Sequence, residues 1–365
     1  MIGRVWTSLP LAIRCELREM LEAATSTLAK TRVASWRIGL TSSVPYDIVY
    51  IGRKECIPRV LAVLGVPDQP MQGPKAALSA LKSDRTTLVS DVPIPGALKV
   101  PMVLDMVMPA KASYLKLLPP QKRLASSCRS VRVEAEAEIE RIHRELLDPF
   151  AIARWGQSAA TVSASLVLHL ARVGRLDCLQ LDKDTIAAHV GFPCARRGAR
   201  YWQGCRFGYP EAIFSDPKRL RDTNRVNLWF QLRYAEEAGY DFYDIGHSLA
   251  RPEGGLLQWK KRQGARLDAW GVHDFFWINS TRKITPTLLW TSPLFSKQGR
   301  DLVLNVGIPA GRDAEEIENR FRGLGFAGLS AVHLHAACEI TPGVLHRIRS
   351  RFETATDVHV VGRFA

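Results

Sequence analysis

The sequence predicts an α/β protein, a mixed sheet flanked by helices, on three observations. Asn227–Ala265 reads as a helix, a short strand, a turn and a second short helix. From Asp301 the pattern alternates strand, helix, strand, helix, strand: LVLNVGI, AEEIENRFRGL, AVHLHAA, GVLHRIRSRF and VHVVGRF. A chain of 365 residues, 46% hydrophobic and 24% charged, is long enough for two domains and a large core.

Taken in order, Ile13–Ala29 has helical spacing, Ala34–Leu40 and Tyr46–Ile51 read as strands, and Ile57–Leu64 as a helix. Pro67, Pro70 and Pro74 mark a loop before a helix at Ala76–Leu81. TTLVSDV and VPMVLDMVM, between Thr86 and Met108, are strand-like runs parted by Pro93, Pro95 and Gly96. Glu134–Leu147 is an amphipathic surface helix, on which His143 is a boundary side chain, and Ala159–Arg172 is a second helix. Cys178–Leu181 and Thr185–Phe192 form a hairpin across Asp182–Asp184. Cys194–Gly198 connects to a strand at Tyr201–Phe207, and Ala269–Ile278 is a later strand.

A formal net charge of +14 is the unusual bulk property. It points to a polyanionic partner, nucleic acid or an anionic membrane surface, or to nothing beyond solubility. Seven cysteines without paired or metal-like spacing suit reduced thiols in a cytoplasm, with no metal site. His333 and His335 alternate on one strand with no third ligand, which reads as structural. His273 and Asp274 adjoin without a nucleophilic serine, so no triad is read there. Charges come too early for a signal peptide, and no stretch approaches a membrane span. These features predict a cytoplasmic protein.

Asn227–Ala265 is the most informative stretch. Leu228, Phe230, Gln231, Tyr234, Ala235 and Ala238 follow helical spacing up to Gly239, where a helix end takes positive φ. Tyr240, Phe242, Tyr243 and Ile245 then form a strand that Gly246 is expected to end, and Leu256–Lys261 restarts as a helix. An AxxxG helix end, a DIG strand followed by Ser, and GLLxWKxxxG resemble the FemABX-like branch of the GNAT acyltransferase superfamily. The matching positions are Ala235, Gly239, Asp244, Gly246, Gly255, Trp259, Lys260 and Gly264. Trp259 stands where Phe is usual, and Gln263 where an aromatic is usual. Asp105, Tyr114, Leu115, Lys122 and Arg123 resemble the family's earlier layout of strand, Tyr-Leu pair, helix and basic run.

The resemblance implies a GNAT-like mixed central sheet and two such lobes around a cleft. On that basis residues 1–98 are a flanking lobe, 99–290 the acyltransferase domain, and 291–365 a βαβαβ segment completing the first lobe. It also implies an acyltransferase forming an amide bond, with aminoacyl-tRNA as co-substrate, no bound cofactor, and a small-molecule or peptide amine as acceptor. Lys260 is the expected cation for the developing oxyanion. Asp244 either orients the attacking amine or takes its proton, or else caps the turn beside Gly246. Tyr243, Gly246, His247, Ser248, Trp259, Tyr201 and Arg123 are the expected substrate contacts.

The alternative donor is acetyl-CoA or another acyl-CoA. Acyl-CoA users carry a Gln/Arg-x-x-Gly-x-Gly/Ala loop whose amides cradle a pyrophosphate. Ser215–Asn227, SDPKRLRDTNRVN, read as that connection, has no glycine, which argues against coenzyme A. Arg196, Arg197, Arg200, Arg206, Lys218, Arg219, Arg221 and Arg225 interleave with Tyr201, Trp202, Phe207 and Tyr209. With Lys261 and Arg262 they suit a single-stranded RNA end; equally, the aromatics belong to a core face and the arginines to a wet one. Lys111, Lys116, Lys122, Arg123, Arg129 and Arg132 form a second basic run, suited either to phosphates or to a solvated face.

Overall fold

Apolar runs bounded by glycine, proline and short polar turns form strands along most of the chain. The computed structural model describes residues 34–38, 47–66, 71–72, 86–155, 162–280 and 285–363. The expected helices at Ile13–Ala29 and Ala76–Leu81 lie outside these residues. The early strands are β1 Ala34–Ile38, β2 Asp47–Gly52, β3 Met71–Gln72, β4 Thr86–Ser90 and β5 Leu98–Pro109. Then come β6 Cys128–Val133, β7 Arg175–Leu181, β8 Asp184–Arg196, β9 Ala199–Gly208, β10 Phe242–Leu249 and β11 Arg266–Ser280. The last are β12 Leu294–Gln298, β13 Asp301–Ile308, β14 Ala331–Ala336 and β15 Asp357–Arg363. The chain groups into two compact units, one holding Val107–Gly246 and the other the described residues up to Met106 and from His247 onward. The boundaries fall inside β5 and β10.

In the Val107–Gly246 unit the strand order is β10-β9-β8-β7-β6. β6 to β9 are antiparallel neighbours, and β10 runs parallel to β9. Cys178 packs into one core with Ile142, Val167 and Val190, while its neighbour Leu179 packs into another with Tyr209, Ile213 and Val226. Successive side chains on a strand point to opposite faces, so both faces of this sheet are covered by helices. The β8–β9 turn is shorter than the sequence suggests, because Cys194 pairs with Tyr201 and Arg196 with Ala199. That leaves Arg197 (φ 53) and Gly198 (φ 79) as a two-residue hairpin loop, the geometry that needs positive φ at both positions.

The crossover from β9 to β10 corrects the sequence reading most. Ser215–Asn227 is not a connection: Pro217–Glu237 is one helix of 21 residues. Asp216 caps it, accepting from the amides of Lys218 (2.9 Å) and Arg219 (3.1 Å), and Pro217 occupies the first turn, where no amide partner is needed. Its buried side is Thr223, Val226, Asn227, Leu228, Gln231, Leu232 and Ala235. Polar residues at Thr223, Asn227 and Gln231 hide this stripe from an apolar count. The helix ends as expected, at Gly239 with φ 72. The expected helix Glu134–Leu147 is α-helical over Glu136–Ile142 and widens to a π-turn over His143–Leu147.

In the second unit the strand order is β3-β1-β2-β4-β11-β5. Its core includes Ile48, Tyr50, Val60, Leu64, Val89, Met102 and Phe276. The helix Ile57–Leu64 stops at Gly65, whose φ of 67 suits glycine. A separate sheet, β12-β13-β14-β15, carries the alternation read after Asp301, with β13, β14 and β15 parallel. The fold class is thus a mixed α/β architecture of sheets flanked by helices. Among the described residues no helix is long and apolar enough to cross a membrane.

Candidate active site

Gly246 does not end its strand; β10 continues to Leu249. Gly246 takes φ 82, its amide donates to Asp244 Oδ1 at 2.7 Å, and an added Cβ would lie 3.0 Å from Gly204 O. This local turn sets the backbone from which the next residue, His247, departs.

His247 pairs with a buried acid. Its Nδ1 makes a short hydrogen bond to Asp105 Oδ1, and its side chain is 55% exposed while that of Asp105 is fully buried. Asp105 sits within VPMVLDMVM of β5, where every neighbour is apolar. A carboxylate there is costly unless it is hydrogen-bonded. The room for it comes from Gly271 on β11, since a Cβ at that position would meet Asp105 Oδ2 and Cβ at 2.5 Å. With a carboxylate accepting from Nδ1–H, the imidazole keeps its lone pair on Nε2, the nitrogen that proton transfer to solvent or substrate needs.

Lys260 supports the same residue from behind. It lies on the helix Gly255–Arg262, is 2% exposed, and donates from Nζ to the His247 carbonyl at 2.9 Å. The amide of Ala265 donates to Lys260 O, closing that helix end next to Gly264 at φ 89. Ser248 is buried, and its hydroxyl has no hydrogen-bond partner among the described residues. Trp259 is half-buried on the same helix.

The other expected site residues are spent differently. Asp244 is fully buried, paired with Arg196 at 2.7 Å, and caps the turn by accepting from the Gly246 amide. Tyr243 is buried, its hydroxyl 3.0 Å from His189 Nε2, and burial pushes its pKa well up. Burial also holds His189 neutral, with its pKa pushed down to about 3. Tyr201 stacks on Phe242 at 5.1 Å and is 9% exposed, while Trp202 and Tyr209 are core residues. Tyr201, Trp202 and Tyr209 therefore face the interior, and Phe207 is half-buried.

Several of the expected RNA-contacting arginines act as local clasps. Arg200 donates to the carbonyls of Gly239 (3.1 Å) and Ala238 (3.3 Å), Arg219 to Ala212 O (3.0 Å), and Arg225 to Lys116 O (3.0 Å). Lys261 donates to Gly323 O at 2.9 Å, and burial lowers its pKa. Arg206 is half-buried, and Arg221 lies 3.5 Å from Asp222. Arg123, Arg197, Lys218, Arg221 and Arg262 are exposed. His335 bonds Asn305 at 3.1 Å, and His333 packs edge-on against His359. Among the described residues no group of three His, Cys, Asp or Glu could hold a metal ion.

No protein-family model matches the chain, and no curated protein matches it. Among solved structures it is similar to FemX, at 13% identity and a TM-score of 0.37 over 69% of this chain and 89% of that one. It is also similar to the C-terminal domain of a putative lysylphosphatidylglycerol synthetase from Agrobacterium fabrum, at 12% identity and TM-score 0.33, over 70% and 85%. A GCN5-related N-acetyltransferase from Anabaena variabilis is similar at 9% identity and TM-score 0.31, over 89% and 85%. These neighbours include the FemABX and GNAT-like branch that the sequence motifs resemble. The likenesses are loose, and the chemistry rests on the chain's own residues.

Proposed function

We propose that the chain is an acyltransferase that forms an amide bond, taking an aminoacyl group from aminoacyl-tRNA to a small-molecule or peptide amine. One observation carries this reading: a buried carboxylate, Asp105, bonded to Nδ1 of an exposed histidine, His247. The attacking amine loses its proton to His247 Nε2 as its nitrogen bonds to the ester carbonyl carbon. The carbonyl is restored as the ester C–O bond breaks, and the imidazolium returns the proton to the departing ribose oxygen. Asp105 fixes the tautomer and stabilises the imidazolium between these two steps. General-base catalysis of this kind supplies roughly 10²–10⁴-fold in rate. Lys260, whose Nζ lies on the His247 carbonyl, acts as a positioning residue for His247.

Two features support a tRNA donor. Net charge is +14, and the true β9-to-helix connection, Tyr209–Asp216, contains no glycine that could cradle a pyrophosphate. A second reading, an acyl-CoA donor, is favoured by one observation: the parallel register of β9 with β10 is short, running from Phe242↔Tyr201 to Asp244↔Gln203. Thermal melting separates the donors, because a specific ligand stabilises the folded chain by mass action. Charged tRNA is expected to raise Tm and coenzyme A to leave it unchanged; the reverse result selects acyl-CoA.

A further inference from the structure

The connection that follows β5 carries two exposed large apolar side chains, Tyr114 at 45% and Leu118 at 62%. Pro119 and Pro120 beside them are exposed as well. Around this tip stand Lys111, Lys116, Lys122 and Arg123, all exposed, with no acidic partner for their side chains among the described residues. Single exposed leucines are ordinary. An exposed leucine and tyrosine within residues 111–123, one segment that carries four exposed cations without an acidic partner among the described residues, are not.

The segment is held in place by the helix Pro217–Glu237. Glu236 accepts from the Ala112 amide at 2.9 Å, and Arg225 donates to Lys116 O at 3.0 Å. Asp222 accepts from Gln121 Nε2 at 2.9 Å, while Gln121 Oε1 accepts from the Leu118 amide at 3.0 Å. Gln121 and Leu115 are both buried. The nearby acids Glu236 and Asp222 are thus used on the Ala112 amide and the Gln121 side chain, and among the described residues the four cations have no acidic partner. Leu118 is held outward by a backbone bonded on both sides.

We propose that residues 111–123 dock on an anionic lipid surface, with Leu118 and Tyr114 entering the boundary between headgroups and acyl chains. Lys111, Lys116, Lys122 and Arg123 meet lipid phosphates there. Amphipathic side chains suit that depth: a tyrosine keeps its hydroxyl at the headgroups while its ring is buried, and lysine stems cover apolar surface while their ammonium groups stay wet. A nucleic-acid backbone would satisfy the cations but offers Leu118 nothing, because an aliphatic chain neither stacks on a base nor pairs with a phosphate.

Flotation of the full chain with vesicles of mixed phosphatidylcholine and phosphatidylglycerol, and with phosphatidylcholine alone, tests this. Binding is expected only to the anionic vesicles. Leu118→Ser is expected to weaken it about tenfold, and Lys122→Glu with Arg123→Glu about 30-fold. Affinity for a duplex RNA, measured in parallel, should not change in Leu118→Ser. The proposal is overturned if anionic vesicles recruit no protein, or if Leu118→Ser binds them like the parent chain. Loss of RNA binding in the charge-reversal variant with vesicle binding intact would assign the surface to nucleic acid. Both sites are exposed, so unchanged melting curves should accompany every variant.

Discussion

Asp244 and His247 stand three positions apart on one strand and each is half of an acid–base pair, yet the pairs do different things. Asp244 meets Arg196 with both ends out of water, at 0% and 16% side-chain exposure. Asp105 meets His247 with only the acid buried. The first pair has an acid that also accepts from the Gly246 amide and a partner that does not deprotonate, so it holds structure. The second leaves an imidazole 55% exposed with its Nδ1 held by a buried carboxylate, the arrangement that the proposed proton transfer needs. The contrast teaches that exposure of one partner, and the chemistry of that partner, separates a structural pair from a reactive one.

The sharpest way to break the contrast is to remove the reactive half. His247→Ala should lower the rate of amide formation by about 10²–10⁴-fold with little change in melting, and Asp105→Asn should lose up to about 10⁴-fold by freeing the wrong tautomer. Single-turnover rates read both. Truncating the structural half should do the opposite. Arg196→Ala leaves Asp244 buried and unpaired, which costs about 3–5 kcal/mol of stability in a denaturant titration while the rate per folded molecule is retained. Gly271→Ala probes the cavity that admits Asp105: a Cβ at 2.5 Å must displace the carboxylate, costing about 1–3 kcal/mol and lowering the rate together.

A second histidine sharpens the comparison further. His189 is buried and its pKa is pushed down to about 3, whereas an unfolded histidine titrates near ~6.5. The unfolded chain therefore binds the proton first. Stability from this group is complete above about pH 6.5 and is lost as pH falls toward about 3, by up to about 1.4 kcal/mol per pH unit. His189→Gln should flatten that slope in unfolding titrations between these limits.

Local features were legible in the sequence where residue type dictates geometry. Ile57–Leu64 with Gly65, the hairpin at Asp182, Gly239 after its helix and the alternation from Asp301 all form as the residues imply. Ser215–Asn227 misled because Thr223 and Asn227 are buried polar residues in a charged stretch, so no apolar period marks the helix. Gly246 misled because positive φ can bend a strand without ending it. His247 and Asp105 were both visible in the motifs, but their pairing was not. Asp105 lies 142 residues away, and only the fold brings the two together. The one available signal was a lone acid in an apolar strand, which must find a donor.

The most direct test is transfer from aminoacyl-tRNA to a panel of amines by the parent chain, His247→Ala and Arg196→Ala side by side. The account predicts amide product from the parent chain and from the folded fraction of Arg196→Ala, and a loss of about 10²-fold or more for His247→Ala. Transfer by His247→Ala at the parent rate would contradict it.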